Sequence, residues 1–190
     1  MRPERVMRLP PRERIIDAAQ ELFFNEGITR VTVDAIAAKA ESTKMTVYRH
    51  FESKDALVLE WIRLHIEQYR DIFERLAQAH PDDARAQLLG FARFIADDLS
   101  TSSYRGCSFT NVIAEVPDDQ HPARVLIEAH KQAQFRRLAT LCEEAGLADA
   151  QEVAEELTYL MEGAQIVSQN KGIERVGEKL LRMVRKKIGA

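Results

Sequence analysis

Apolar residues recur along this chain at helical spacing. Over residues 12–25, Ile15, Ala19, Leu22 and Phe23 share one helical face, and Gly27 stands where a left-handed C-terminal cap is expected. Thr32 is a good N-cap for a second helix over 33–40, with Val33, Ile36, Ala37 and Ala40 inward and Asp34 at the positive end of the helix dipole. Thr43 caps a third helix over 44–51, anchored by Val47 and Phe51. Ser53 caps a long fourth helix from about Lys54 to Ala79. Its apolar face, which includes Val58, Trp61, Ile62, Tyr69, Phe73 and Leu76, is too wide for one neighbour, so this helix reads as the connector between two modules.

Pro81-Asp82-Asp83 interrupts the pattern, and a fifth helix follows to about residue 99 with Leu88, Phe91, Ala92, Ile95 and Leu99 inward. A polar loop at 101–106 leads to a short sixth helix over 108–116, halted by Pro117. The seventh runs from about Pro122 to Gly146, and two more, about 149–170 and 173–188, complete the chain. Nothing alternates with period two for long enough to make a sheet. The pattern predicts an all-α protein of about nine helices: a flexible start over 1–11, a three-helix helix-turn-helix head over 12–53, and a helical-bundle body over 54–190.

Composition changes this picture little. With 190 residues, 45% hydrophobic and 30% charged, the chain can build a substantial core. No apolar run approaches the roughly 20 residues a bilayer span needs, and the basic N-terminus lacks the apolar segment of a signal peptide. A cytoplasmic protein without membrane contact is therefore expected. Net charge is −3, and residues 1–60 balance ten Lys/Arg against ten Asp/Glu, so any nucleic-acid argument must rest on patterning.

Cys107 and Cys142 show no metal-ligand spacing, and no nucleophile–base–orienter grouping is present, so no metal, cofactor or catalytic residue is expected. Each thiol reads most plainly as a small buried hydrophobe. The rival reading makes Cys107, two residues after Arg105, a redox or electrophile sensor.

Chemistry concentrates at 43–54. A short helix rich in hydroxyl, aromatic and basic side chains suits the DNA major groove, where Ser, Thr, Tyr, Lys and Arg reach phosphates and base edges. Candidate DNA contacts are Thr43, Lys44, Thr46, Tyr48, Arg49 and His50. Thr32, at the start of the preceding helix, and Lys54, opening the connector, are added as phosphate contacts.

The run Ala40…Thr43-Lys44-Met45-Thr46-Val47-Tyr48-Arg49-His50-Phe51…Ser53-Lys54…Leu57 resembles the signature of the TetR (tetracycline repressor) family of transcriptional regulators. Upstream, Ile16…Ala18-Ala19…Leu22-Phe23…Gly27…Thr32-Val33…Ile36-Ala37 is similar to that family's first two helices. The likeness covers about residues 12–60. Beyond it, Arg105-Gly106-Cys107…Asn111…Ala114-Glu115 resembles a segment opening the sixth helix in one branch of the family.

The resemblance implies a homodimeric regulator, usually a repressor, bound to a near-palindromic double-stranded DNA operator and released by a small-molecule effector. Its recognition helices would enter successive major grooves about 34–36 Å apart. The chain departs from the family at the turn, where Gly-Val-Ser is usual and Glu41-Ser42-Thr43 stands here. A side chain at Glu41 then meets an expected positive φ, at a cost of about 1 kcal/mol. Met45 also stands where the family often has glycine.

For the body, a pocket between the fourth and eighth helices is expected, holding a neutral or mixed effector. Candidate linings are Trp61, His65, Phe91, Phe94 and Cys107, together with Phe109, Asn111, His130, Gln134 and Gln165. The terminal helices carry Leu157, Leu160, Met161 and Ala164, then Val176, Leu180 and Val184. In isolation these are core stripes; pairing into a four-helix bundle makes them the expected dimer interface.

Overall fold

A computed structural model of the protein describes residues 9–99 and 105–190. Residues 1–8 of the expected flexible start and 101–104 of the expected loop lie outside them. Among the described residues there are nine helices and no strand: α1 (Pro11–Glu26), α2 (Val33–Lys39), α3 (Lys44–His50), α4 (Lys54–Ala79), α5 (Ala84–Leu99), α6 (Ser108–Glu115), α7 (Pro122–Glu144), α8 (Ala150–Gln169) and α9 (Val176–Ile188).

Local chemistry explains most of the boundaries. The hydroxyls of Thr32, Thr43 and Ser53 each accept a backbone N–H three residues on, at 3.1 Å, from Ala35, Thr46 and Ala56. His121 caps α7 through Nδ1, which accepts the Ala123 N–H, two residues on, at 3.1 Å, a cap the pattern did not suggest. Pro11 is inside α1, not before it, because proline fits the first helical turn, where its missing N–H is no loss. Helix α9 starts at Val176, three residues later than the pattern predicts. Lys171 and Arg175 take positive φ there, and Arg175 forms an ion pair with Glu178 in the first turn.

Gly27 has φ 86° and ψ 157°, an extended conformation essentially reserved for glycine, not the left-handed helical cap expected. The turn between α2 and α3 is a Schellman motif: the Ser42 N–H donates to Ala37 O at 2.9 Å and the Glu41 N–H to Ala38 O at 3.1 Å. Glu41 holds the left-handed position, φ 46°. The expected backbone strain is present.

The apolar packing forms two clusters. One joins the head to the first half of α4, to α6 and to the start of α7, through residues such as Ile36, Val47, Trp61, Phe109 and Ile127. The other fills the bundle of α5, the end of α7, α8 and α9, around Phe91, Leu138, Leu157 and Leu180. Helix α4 crosses both, which accounts for its wide face, and Tyr69 packs against each cluster.

This packing corrects the expected dimer interface. Leu157, Met161, Ala164, Leu180 and Val184 are buried inside the protomer's own core, and Leu160 and Val176 pack against it. Helix α9 lies between α5 and α8, so both inward stripes are already covered. The outer face of α8 instead presents Tyr159, Gly163 and Ile166, and α9 presents Met183. No described helix is long and apolar enough to cross a membrane.

Candidate nucleic-acid interface and body cavities

Helix α3 is held by Val47, which is buried in the head, and Phe51 seals the end of the helix beneath it. Arg12 of α1 lies 5.3 Å above the Phe51 ring and pairs with Glu60 of α4 at 2.5 Å, fastening the helices under α3 together. Everything else on α3 turns outward. Thr43, Lys44, Met45, Tyr48, Arg49 and His50 are exposed, and Thr46 partly so. Met45 is 82% exposed and Tyr48 47%, far more than core packing would leave for side chains of that size.

The face is partly ordered before any DNA arrives. Thr43 Oγ1 lies 2.9 Å from Thr46 Oγ1, and Arg49 Nη2 reaches that same Thr46 oxygen at 3.5 Å. Lys44 donates to Asp34 of α2 at 2.8 Å, and this hydrogen bond and charge hold its ammonium pKa above the usual value. As an exposed pair it adds little stability, but it fixes where Lys44 stands. Arg14 Nη1 donates to Glu41 O at 3.2 Å, bracing the strained turn from α1.

Lys54 has a structural task that the sequence did not show. Its part-buried ammonium donates to Ile28 O at 3.0 Å and to Val31 O at 3.2 Å, tying the α1–α2 loop to the start of α4. Its carbonyl partners lie 26 and 23 residues away, beyond the reach of local pattern.

Besides the contacts with α4, two hydrogen bonds tie the head to the α6 region. Glu115, at the end of α6, accepts the Thr29 N–H at 2.7 Å; a Cβ on Gly27 would sit 2.7 Å from the other oxygen of that carboxylate. Arg105 donates to Phe24 O at 3.2 Å. Its guanidinium therefore engages the end of α1, a role not anticipated when it was weighed as a neighbour of Cys107. Nothing local in the sequence pairs Glu115 with residue 29, 86 positions away.

Two cavities of the body take up expected lining residues. The first, about 390 Å³, is bounded by α1, α4, α5, the start of α6 and α8, and gathers six expected lining residues: Trp61, His65, Phe94, Cys107, Phe109 and Gln165. Gln20, Glu21 and Phe24 of α1 complete it, so its wall includes the head itself. The second, about 420 Å³, lies between α4 and α7 and takes His130 and Gln134 beside Ile66, Phe73 and Ala133. Tyr69 borders both.

Phe91 and Asn111 are on neither described wall. Phe91 stacks on Phe73 at 4.4 Å inside the bundle core, and the Asn111 amide donates to Arg105 O at 2.9 Å, bracing the entry to α6. His65 meets Ser108 Oγ at 3.1 Å through Nε2, and burial lowers its pKa. Burial and neighbouring Lys131 lower His130 to about 4. Both rings are neutral near pH 7. Cys107 is buried at the N-cap of α6, in the wall of the first cavity. Cys142 lies in the bundle core, where burial and Glu143 push its thiol up to about 11.

The head matches a family model described as bacterial regulatory proteins, tetR family, over residues 15–61. Over almost the whole chain, the fold matches the crystal structure of SCO4454, a TetR-family transcriptional regulator from Streptomyces coelicolor. Sequence identity is 30%, coverage 94% of both chains and the TM-score 0.87. The chain belongs to the TetR family. It is also similar to the HTH-type transcriptional regulator YjdC of Escherichia coli, 23% identical over 92% of this chain and 95% of that one. A 43-residue stretch, 23% of this chain and 20% of the relative, is 51% identical to the HTH-type transcriptional regulator SrpR of Pseudomonas putida. This TetR-family protein is a DNA-binding transcriptional regulator, not an enzyme.

Proposed function

We propose that this TetR-family protein is a homodimeric repressor, released from its operator by a small molecule held in the cavity that α1 helps to wall. The observation carrying this reading is the reach of that cavity: Gln20, Glu21 and Phe24 belong to the head, so a ligand there touches the DNA-binding module directly. The Glu115–Thr29 and Arg105–Phe24 bonds give α6 a second hold on the same module. A ligand moves the heads only if it prefers their non-binding arrangement; shifting the balance from 1:99 to 99:1 takes about 5.5 kcal/mol of preference.

On the DNA side, Thr43, Thr46, Tyr48, Arg49 and His50 meet phosphates and base edges, with Thr32 and Lys44 on the flanking phosphates. Lys54 acts as a brace for the loop beneath them, given its two carbonyl partners. A second copy packs on the outer faces of α8 and α9. Tyr159, Ile166 and Met183 supply apolar area there, and Gly163, with open space where a Cβ would be, permits close helix approach.

The test starts with operator selection from random duplexes, followed by titration in gel shifts. A two-fold symmetric site bound at about 10⁻⁸–10⁻¹¹ M, weakening as salt rises, is expected. Replacing Tyr48 and Arg49 with alanine should weaken binding at least about tenfold, with helicity and dimer mass unchanged. Failure to enrich any sequence would remove the reading.

A second reading keeps the fold and makes Cys107 the sensor, favoured by the position of that thiol in the cavity wall at the start of α6. An oxidant or electrophile response that survives Cys107→Ser would eliminate it.

A further inference from the structure

Buried polar atoms ordinarily find partners, and the wall of the cavity between α4 and α7 holds two residues with one that does not. Gln134 is only 8% exposed, yet its Oε1 meets no hydrogen-bond donor among the described residues. His130 Nε2 is likewise buried and unpartnered. Both residues stand in the wall of this cavity, and a spacing of four along α7 puts them on one helical face. The His130 ring is fixed, edge-on to Tyr69 at 5.2 Å and 4.7 Å from Phe109.

Around them the wall is largely apolar, with Ile66, Tyr69, Phe73 and Ala77 from α4 and Ala133 from α7. Its charged side chains are already engaged. Arg70 pairs with Glu74 at 3.7 Å, and Arg137 Nη2 donates to Gln87 Oε1 at 3.2 Å. His130 adds no charge, since burial and Lys131 lower its pKa to about 4. An ionised carboxylate placed here would set its oxygens against Gln134 Oε1, acceptor against acceptor. A bare hydrocarbon would leave the amide unpaired. A hydroxyl answers both atoms: its O–H donates to Gln134 Oε1, and its oxygen accepts from His130 when Nε2 carries the proton.

We infer that this cavity is a second ligand site, for an uncharged aromatic alcohol of the phenol or naphthol class, with its hydroxyl on Gln134 and its rings beside Tyr69 and Phe73. A volume of about 420 Å³ suits a ligand of two fused rings. The inference goes beyond the effector reading, which concerns the other cavity, and its test involves no DNA.

Calorimetric titration of the full-length protein at pH 7 compares 2-naphthol with 2-methoxynaphthalene, which lacks the donor, and with 2-naphthoate. The naphthol should bind at least about fivefold more tightly than either, because both leave Gln134 Oε1 without a donor. Gln134→Met keeps the length of the side chain and removes the amide. With circular dichroism as the folding check, it should bring naphthol and ether within about twofold of each other. Ala133→Phe, at an exposed position of the wall, should weaken both compounds together. Equal affinity for naphthol and ether in the unmodified protein overturns the inference, as does tighter binding of the naphthoate. So does a Gln134→Met protein that keeps the full preference, an Ala133→Phe protein that binds both compounds undiminished, or no naphthol binding at millimolar concentration.

Discussion

Head and body hold their chemistry in opposite ways. In the head, Ile15, Ala19, Ile36 and Val47 are buried in the first cluster, and the polar side chains proposed to act stand outside it on α3. In the body, they face inward, onto a cavity bordered by residues of both apolar clusters. An outward face tolerates substitution without disturbing its support. An inward face tolerates it less where a wall residue is also core: Trp61 and Phe109 line the cavity and fill the first cluster at once.

The largest expected effect separates bundle stability from the reading face. Leu157 is fully buried where α8 meets α5, α7 and α9. Leu157→Ala should cost about 2–5 kcal/mol in urea unfolding. At temperatures where the variant stays folded, DNA affinity per dimer should be unchanged; a proportional loss of operator affinity would mean the two regions are not separable.

A smaller effect tests how the regions communicate. Glu115→Ala removes the acceptor of the exposed Thr29 N–H, at a cost of about 0.5–1.5 kcal/mol because water can take its place. Ligand affinity should hold while the ligand concentration needed to release DNA rises severalfold, measured by calorimetry and anisotropy on one preparation. Unchanged release would place the coupling elsewhere in the molecule.

The smallest effect compares two copies of one turn. The end of α7 repeats the α2–α3 Schellman motif, with the Leu147 N–H donating to Cys142 O at 3.1 Å and Gly146 at φ 65° where the head has Glu41 at φ 46°. A left-handed conformation costs an ordinary residue about 1–2 kcal/mol, partly offset by the greater entropy that glycine loses on folding. Glu41→Gly should therefore stabilise by about 0.5 kcal/mol, and Gly146→Ala should destabilise by about 1 kcal/mol. Melting temperatures of the pair, moving in opposite directions, would confirm that the head turn carries strain.

The parts that were legible in the sequence share one property: their partners are near in the chain. Thr32, Thr43 and Ser53 cap helices because a hydroxyl reaches a backbone N–H three residues away. The Glu41 strain was visible because a Schellman turn is a local object. The exposed α3 face followed from Val47 and Phe51 being the only residues spaced to point inward. Six cavity residues were found for a weaker reason, polar or aromatic side chains lying on apolar faces.

What misled was distance. Phe91 shares the aromatic character of the cavity wall, but only the arrival of Phe73 from α4 decides that it is core. Lys54 carries the charge of a phosphate contact, and only the fold shows that it also holds two carbonyls of the α1–α2 loop. Leu157 and Leu180 form the stripes a dimer needs, and α5 covers them first. Periodicity says that a helix face must be covered, since exposed apolar area is costly, but it does not say by which helix. The chain on its own therefore determined the succession of helices, the hydroxyl caps at Thr32, Thr43 and Ser53 and the outward face of α3. The inward face of α8, the two bonds from α6 to the head and the void beside α1 were decided by tertiary packing, because each depends on which surfaces meet across long stretches of sequence.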